Sequence, residues 1–561
     1  MLYIALMKLN AVFIAIIIIG CFKPKSIYYT VPTAGVLFII SLITNYFTLS
    51  SRTFLSLVSS NLVMLIIFSA VIFPAIMVLQ RQNVKKIGGA IIAMAIILLV
   101  ISGIGTAHTY LSKKPLYNSL KTEVKEEAPR LSKDENPITI SPKTVRNKMN
   151  KAMSIVGNSS FYRLGDLQTQ TYKGKAVYIA PIEFDGFWPW FKKHETPGYF
   201  MVSATNMNSD PVFIKKKMKY TPSSYLSKDA ERIIYNKFPN WCRTGDAQLE
   251  VDDNGTPYYI QTMYKTRGLS NRINYNSLHV AVLNAQTKDM KLYKAADAPS
   301  FIDESIDSST AKEMNDVYGH NVHGLWNFSG LDKMNPTNSG TEDGVTPVFD
   351  KKGRIHYFTD FTSVHNNSDS TTGYSMIDAR TGKLTFYKGK NIGVMDSKGA
   401  IELANKEYVA QNWTGTMPIM YNIDGTPTWV ISILDSTGSF RNFAYIKASD
   451  QNVKVYAPTA KQALDLYRVQ LENSSSNPED SDAAKTKKVS GKVDRFVVIN
   501  KNNFNNVMFT LKNSKTLFTV STENYPKAVL MHEGDQVELN AKFNSAGNTA
   551  TIDTMKDKNL D

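Results

Sequence analysis

The chain has 561 residues and a mass of 62.8 kDa, which at roughly 100 to 200 residues per domain excludes a single core. Its charge is divided unevenly. Residues 1–112 hold seven Lys or Arg (Lys8, Lys23, Lys25, Arg52, Arg81, Lys85 and Lys86) and no Asp or Glu, leaving 57 basic against 49 acidic groups in the rest. That division excludes a wholly soluble protein, and it excludes a strongly basic nucleic-acid binder because much of the net +15 flanks apolar segments.

Four apolar helices are predicted first, near residues 2–22, 27–50, 53–79 and 87–107, each close to the roughly 20 residues that cross a bilayer core. Residues 1–112 are therefore expected to form a four-span membrane anchor. The first and third turns carry Lys23, Lys25, Arg81, Lys85 and Lys86, whereas the second carries Arg52 alone. Cations near spans favour the cytoplasmic side, so both ends are expected to face outward and residues after about 108 to be extracytoplasmic. Ile18-Ile19-Gly20-Cys21 offers a competing pattern, the lipid-attachment box of a bacterial lipoprotein signal, opposed by Lys23 and Lys25 directly after it. No carboxylate lies in the spans and Lys8 is expected to snorkel to one end, so anchoring is expected and coupled transport is not. Two cysteines, Cys21 and Cys242, allow no plausible intrachain disulfide, and a large exterior without one points to a bacterium, most simply Gram-positive, or its phage.

Residues 113–140 are rich in Lys, Glu, Pro and Ser, a composition that predicts a tether. Beyond it the sequence repeats itself. Ser227, Lys228, Ala230, Ile233, Ile234 and Phe238 recur 170 positions later as Ser397, Lys398, Ala400, Leu403, Ala404 and Tyr408, predicting two amphipathic helices opened by an N-cap serine. The same offset carries Asn254-Gly255-Thr256-Pro257 onto Asp424-Gly425-Thr426-Pro427, hairpin signals followed in both copies by strand runs. Gly198-Tyr199 and Gly373-Tyr374 form a fainter pair, as do Tyr172-Lys173-Gly174 and Lys351-Lys352-Gly353, each after a helical stretch at 141–156 or 309–318. Four helix-plus-strands units are expected, as a tandem duplication of 141–302 and 303–470.

A helix followed by a short antiparallel sheet, with Ile377-Asp378-Ala379-Arg380-Thr381-Gly382-Lys383-Leu384 as strand, turn and strand, resembles the PepSY repeat of bacterial exported and membrane proteins. The resemblance covers about 330 residues, rests on the architecture and the Asp-x-x-Thr-Gly turn, and implies a binding or inhibitory module. Residues 471–488 predict a polar linker. The last block, 489–561, has strand runs at 491–499, 506–512, 516–522, 536–543 and 549–554 and resembles an OB-fold barrel. It lacks a stripe of stacking aromatics, so the resemblance implies a protein or sugar ligand ahead of nucleic acid. The expected fold class is an α-helical transmembrane bundle, then PepSY-like α+β repeats, then a small all-β OB-like barrel.

Two segments stand out as candidate sites. His320 and His323, three apart with Glu313 upstream, could share a metal and make the protein a metal-dependent envelope enzyme. Against this, Gly319 and Gly324 bracket the pair and the order is not that of zinc proteases, so imidazoles hydrogen-bonded within the fold are the competing explanation. The run from Phe184 to Lys193 places Phe187, Trp188, Trp190 and Phe191 beside Lys192 and Lys193, a pattern suited to a partner or membrane contact or to a hairpin end folded over its own core. Cys242 has no His close in sequence and is expected to be packed. With no phosphate loop, nucleophile elbow or Cys-x-x-Cys pair, neither an enzyme nor a cofactor is expected. The function expected is that of a multi-pass, membrane-anchored, extracytoplasmic binding, scaffold or regulatory protein of the cell envelope. Its partners would be the membrane and an envelope protein or polymer; nucleic-acid binding through the barrel is the alternative.

Overall fold

The computed structural model describes residues 2–79, 84–131, 140–337, 344–364, 370–388, 394–475, 486–501, 504–522, 525–543 and 549–560. The chain divides into two compact units, Met1–Gln451 and Asn452–Asp561.

The apolar N-terminal part forms helices α1 (Leu2–Met7), α2 (Asn10–Phe22), α3 (Ile27–Thr48), α4 (Phe54–Leu79) and α5 (Val84–Leu111). Three of them, α3, α4 and α5, are long and apolar enough to cross a membrane. The segment expected as a continuous first span is instead two helices, broken at Lys8 and Leu9. The break has a cause in α4. Asn61 accepts from the Ala11 amide (2.9 Å) and donates to the Met7 carbonyl (2.8 Å), the two groups that would bond each other in an unbroken helix. Lys8, expected to snorkel, is buried against the bundle at 6% exposure. Leu9, Val12, Ile19, Leu37, Leu65, Phe68 and Ile91 make the bundle core, while Ile39, Ile43, Ile66, Ile96 and Val100 point outward, as lipid-facing residues would. Arg81, part of the third cationic turn, lies outside the described residues.

The expected tether is only partly one. Helix α6 (Lys113–Tyr117) continues directly from α5, and strand Lys121–Lys125 pairs in parallel with Lys383–Tyr387, Lys121 opposite Lys383. The pairing is made by backbone, with Glu123 salt-bridged to Lys383 and Val124 left exposed, so the apolar content of the segment carries no sign of it. Residues 132–139, the rest of that stretch, lie outside the described residues.

Four sheets then follow one another, antiparallel except where Lys121–Lys125 joins the third, each preceded by a helix: α7 (Pro142–Ala152), α9 (Ala230–Lys237), α10 (Ser308–His320) and α11 (Ser397–Lys406). A further short helix, α8 (Phe187–Lys193), interrupts the first sheet. The first sheet is centred on Lys175–Phe184 and Tyr199–Ser203, the second on Pro257–Tyr264 and His279–Asn284, the third on Ile355–Ser363 and Ser370–Asp378, and the fourth on Thr414–Ile423, Thr426–Leu434 and Phe440–Lys447. Ala230, Ile233 and Ile234 are buried on α9, as are Ala400 and Ala404 on α11. The helices are capped by Asp229 and Asp396, whose carboxylates accept from the amides of Arg232 and Gly399, and not by Ser227 and Ser397 as expected. Gly198 and Gly373 share an unusual backbone, φ +151 and +154, the first just before strand Tyr199–Ser203 and the second inside strand Ser370–Asp378 at a register shift. A Cβ at Gly198 would lie 2.0 Å from the Ile214 carbonyl oxygen, and one at Gly373 would lie 2.6 Å from that of Tyr387, so both positions require glycine.

The second unit holds strand Lys454–Ala457, helix α12 (Ala460–Ser475) and a closed barrel. The repeat block expected to end at residue 470 thus gives up its last helix to this unit, and that helix runs five residues into the expected linker. Residues 476–485 of the linker lie outside the described residues. The barrel closes in the order Thr486–Lys501, Phe504–Leu511, Leu517–Ser521, Thr549–Asp557, Gln536–Phe543, with the third and fourth of these parallel. Val493, Val507, Phe509, Phe518, Val537, Leu539 and Ile552 fill it.

Candidate functional site: an exposed aromatic helix

The run of aromatics at 184–193 folds as the end of a long strand followed by α8. Gly186 supplies a positive φ of +100 to turn into the helix, and His194, at φ +60, ends it with its amide on the Trp190 carbonyl. A single helical turn sorts the rings. At 100° per residue, Phe191 lies 40° and Trp188 100° to one side of Phe187, and Trp190 lies 60° to its other side, 160° from Trp188. Trp188 is 68% exposed, Phe191 54% and Phe187 40%, while Trp190 is 6% exposed. Trp190 is therefore core, which corrects its inclusion in the contact surface. It packs on Tyr225 (ring centroids 5.5 Å apart), which also meets Phe187 edge-on at 5.2 Å. Lys192 and Lys193 lie within 6 Å of the Phe161 ring, at 5.8 and 5.4 Å.

Two arginines tie this neighbourhood to the ends of α3 and α4. Arg232 on α9 donates through Nη1 to the Leu226 carbonyl (3.4 Å) and through Nη2 to the Tyr46 carbonyl (3.0 Å), and lies over the Tyr46 ring. Arg52, in the turn between α3 and α4, donates to the carbonyls of Tyr235 (2.5 Å) and Phe238 (2.8 Å) at the end of α9 and stacks on Tyr235 at 3.5 Å. A cation there satisfies carbonyls that the helix end leaves without partners. Tyr235 in turn donates to Asn45 or to the Ser50 carbonyl, at 3.0 and 2.9 Å. The aromatic helix is thus one ring contact and one arginine away from the end of α3. Composition pointed to the rings; this placement depends on pairs some 190 residues apart and had no local signal.

A cavity of about 270 Å³ lies under the same turn, lined by Leu49, Arg52, Tyr235, Trp241, Cys242 and Met263 among others. Cys242 is buried there as expected; burial pushes its thiol up, and the neighbouring Arg52 pulls against that shift.

The Nε2 atoms of the two histidines take different partners. His320 Nε2 pairs with Asn335 Oδ1 at 2.9 Å, and His323 Nε2 pairs with Asp332 Oδ2 at 2.8 Å. Glu313, two turns back on α10, is held up by burial and faces the Arg272 charge. Each imidazole is thus occupied by its own partner.

A cluster of buried carboxylates joins three sheets. Glu304 accepts from Gln168, from Thr169 and from the Tyr357 hydroxyl (2.8 Å), and its own amide donates to Glu250 at 2.9 Å. The other oxygen of Glu250 accepts from the Asp303 amide at 2.8 Å. Burial pushes Asp303 up to about 6, against the pull of the Thr171 amide and the Arg380 charge. Glu250 is raised by burial and then by the charges of Asp303 and Glu304. An acid whose folded pKa is raised holds its proton more tightly when folded, so its contribution to stability falls as pH rises from the unfolded carboxyl range to the folded value. Taking the protein from pH 7.5 to 5 should accordingly add on the order of 1 kcal/mol through Asp303. Thermal unfolding of Asp303→Asn in detergent checks this, because the substitution should flatten that pH dependence.

No protein-family model matches the sequence, and no curated protein is similar to it. Solved structures give distant neighbours. A GH43_1 enzyme from Xanthomonas citri is 9% identical with a TM-score of 0.17, over 70% of this chain and 91% of that one. A glycosyl hydrolase from Bacteroides ovatus is 11% identical with a TM-score of 0.17, over 70% and 92%. The polysaccharide lyase Uly1 is 12% identical with a TM-score of 0.15, over 77% and 91%. Likeness at that level defines neither fold nor activity.

Proposed function

We propose that the chain is a four-span membrane protein whose folded region, outside the cytoplasm, acts as a binding or scaffold module of the cell envelope. In this reading α1 and α2 together form the first span, with Asn61 bridging the break. The sheets are PepSY-like units, and the barrel, with its parallel pair closing five strands, is OB-like. The supporting observation for sidedness is the docking of α9 on Arg52, in the one turn that carries a single cation. The cation-rich turns at Lys23 and Lys25 and at Lys85 and Lys86 lie at the opposite helix ends, so the cytoplasmic preference of Lys and Arg and the position of the folded region agree.

The exposed face of α8 is the contact surface of this module. Phe187, Trp188 and Phe191 leave water-facing apolar area that a monomer has no structural use for, beside two lysines and near the end of α3. Trp188→Ala should leave the melting transition almost unchanged, whereas Trp190→Ala should cost about 3 kcal/mol because it empties a packed site. A photo-crosslinking residue at position 188 should yield lipid or envelope adducts in intact cells that the same residue at exposed Asn208 does not. Equal, background-level yields at the two positions would sink the assignment.

A further inference from the structure

A second apolar surface lies in the loop after α10, just beyond His320 and His323. Trp326 is 77% exposed, Phe328 80% and Leu331 60%, three large apolar side chains within six residues. The loop is held in shape by its own polar groups. Asn327 donates to the Leu331 carbonyl (2.7 Å) and accepts from the Leu331 amide (2.9 Å), Lys333 donates to the Asn327 carbonyl (2.8 Å), and His323 is paired with Asp332. Trp326 and Phe328 meet edge to face, with centroids 6.1 Å apart. Rings left outside such a tied loop are presented to something.

Its distance from the bilayer follows from the chain. Lys114 lies three residues beyond the end of α5 and donates to the Val322 carbonyl. A Cβ added at Gly324 would lie 2.8 Å from the Lys114 Cβ. Two residues of chain reach at most ~7 Å, so Trp326 is confined to the level of Lys113 and Lys114, within the interfacial layer above the hydrocarbon core. The hairpin tip of the second sheet meets α5 itself, one to two turns before its end. A Cβ at Gly105 of α5 would lie 3.6 Å from the Leu269 carbonyl oxygen, and one at Gly268 would lie 2.9 Å from His108. The folded region therefore already touches α5 at the edge of its apolar part.

We propose that residues 324–331 form a foot in the interfacial layer of the leaflet on the side of the folded region, Trp326 and Phe328 among the ester groups and the first acyl carbons and Lys113, Lys114 and Lys333 at the phosphates. Tryptophan is at home at that depth, and cations beside it gain from anionic headgroups. The occupant is lipid because the loop is held, through Val322 and Gly324, against Lys114, three residues beyond a helix that this reading places in the bilayer; a second copy or a protein partner has no such support. The foot rests on the proposed membrane anchoring and adds to it a second point of contact, separate from α8.

The test uses the full chain in lipid nanodiscs, with acyl chains plain or brominated near the headgroup. The emission due to Trp326 is the difference between wild type and Trp326→Phe, and it should be roughly halved or lower in brominated lipid. Unquenched Trp326 emission from a chain that co-migrates with the discs overturns the foot and leaves the anchor standing. Emission that bromine spares but that is shielded from aqueous iodide overturns it in favour of a protein occupant. A chain that does not co-migrate with the discs overturns both.

Discussion

Glu304→Ala is expected to cost the folded region about 3–5 kcal/mol, one of the two largest effects of any single change considered. Glu304 is 3% exposed and accepts from Gln168 and Thr169 of the first sheet and Tyr357 of the third. Its backbone amide is fixed by Glu250 of the second. Truncation leaves three buried donors without an acceptor, and each unsatisfied group carries its own desolvation penalty. Glu304→Gln keeps one acceptor oxygen at the same place and should cost less. Urea unfolding followed by tryptophan emission measures both; a loss below about 1 kcal/mol for the alanine variant would mean that the three sheets do not depend on this carboxylate.

The second large effect is expected at Arg52 and is of a different kind. Arg52→Ala removes two charge-assisted hydrogen bonds to the end of α9 and a stacked contact on Tyr235, together worth about 2–4 kcal/mol. The sheets keep their own cores, so the loss should appear as local opening. Amide exchange at residues 230–238 should rise by about 1.5 to 3 orders of magnitude, which is what 2–4 kcal/mol implies, while exchange in strand Tyr199–Ser203 is unchanged. Exchange that rises equally in both would show that Arg52 supports the whole unit and not the docking of α9.

What was legible in the sequence was what is local. Apolar runs, alternation along strands and Gly turns predicted the long helices, the order of helix and strands in each sheet, and the five barrel strands. Gly255 and Gly425, matched by sequence, both take positive φ, at +72 and +89, between antiparallel strands. The failures have one physical origin. The break at Lys8 depends on Asn61, which is 54 residues from Met7; the strand inside the expected tether depends on Lys383–Tyr387; and the N-caps turned on which of two polar residues one or two positions apart reached the helix amides. Trp190 is an exception that could have been separated from its neighbours, since one helical turn puts it on the face opposite Trp188. Trp326 and Phe328 alternate with polar residues between two glycines, a pattern that does not separate exposed rings from packed ones.

The central claim, a folded region outside the cytoplasm with the cationic turns inside, is tested most directly by single cysteines at exposed positions on a background of Cys21→Ser and Cys242→Ser. A membrane-impermeant thiol reagent applied to intact cells should label Asn208→Cys at once and Lys25→Cys only after lysis. Labelling of Lys25→Cys in intact cells, with Asn208→Cys protected until they are broken, would contradict the account.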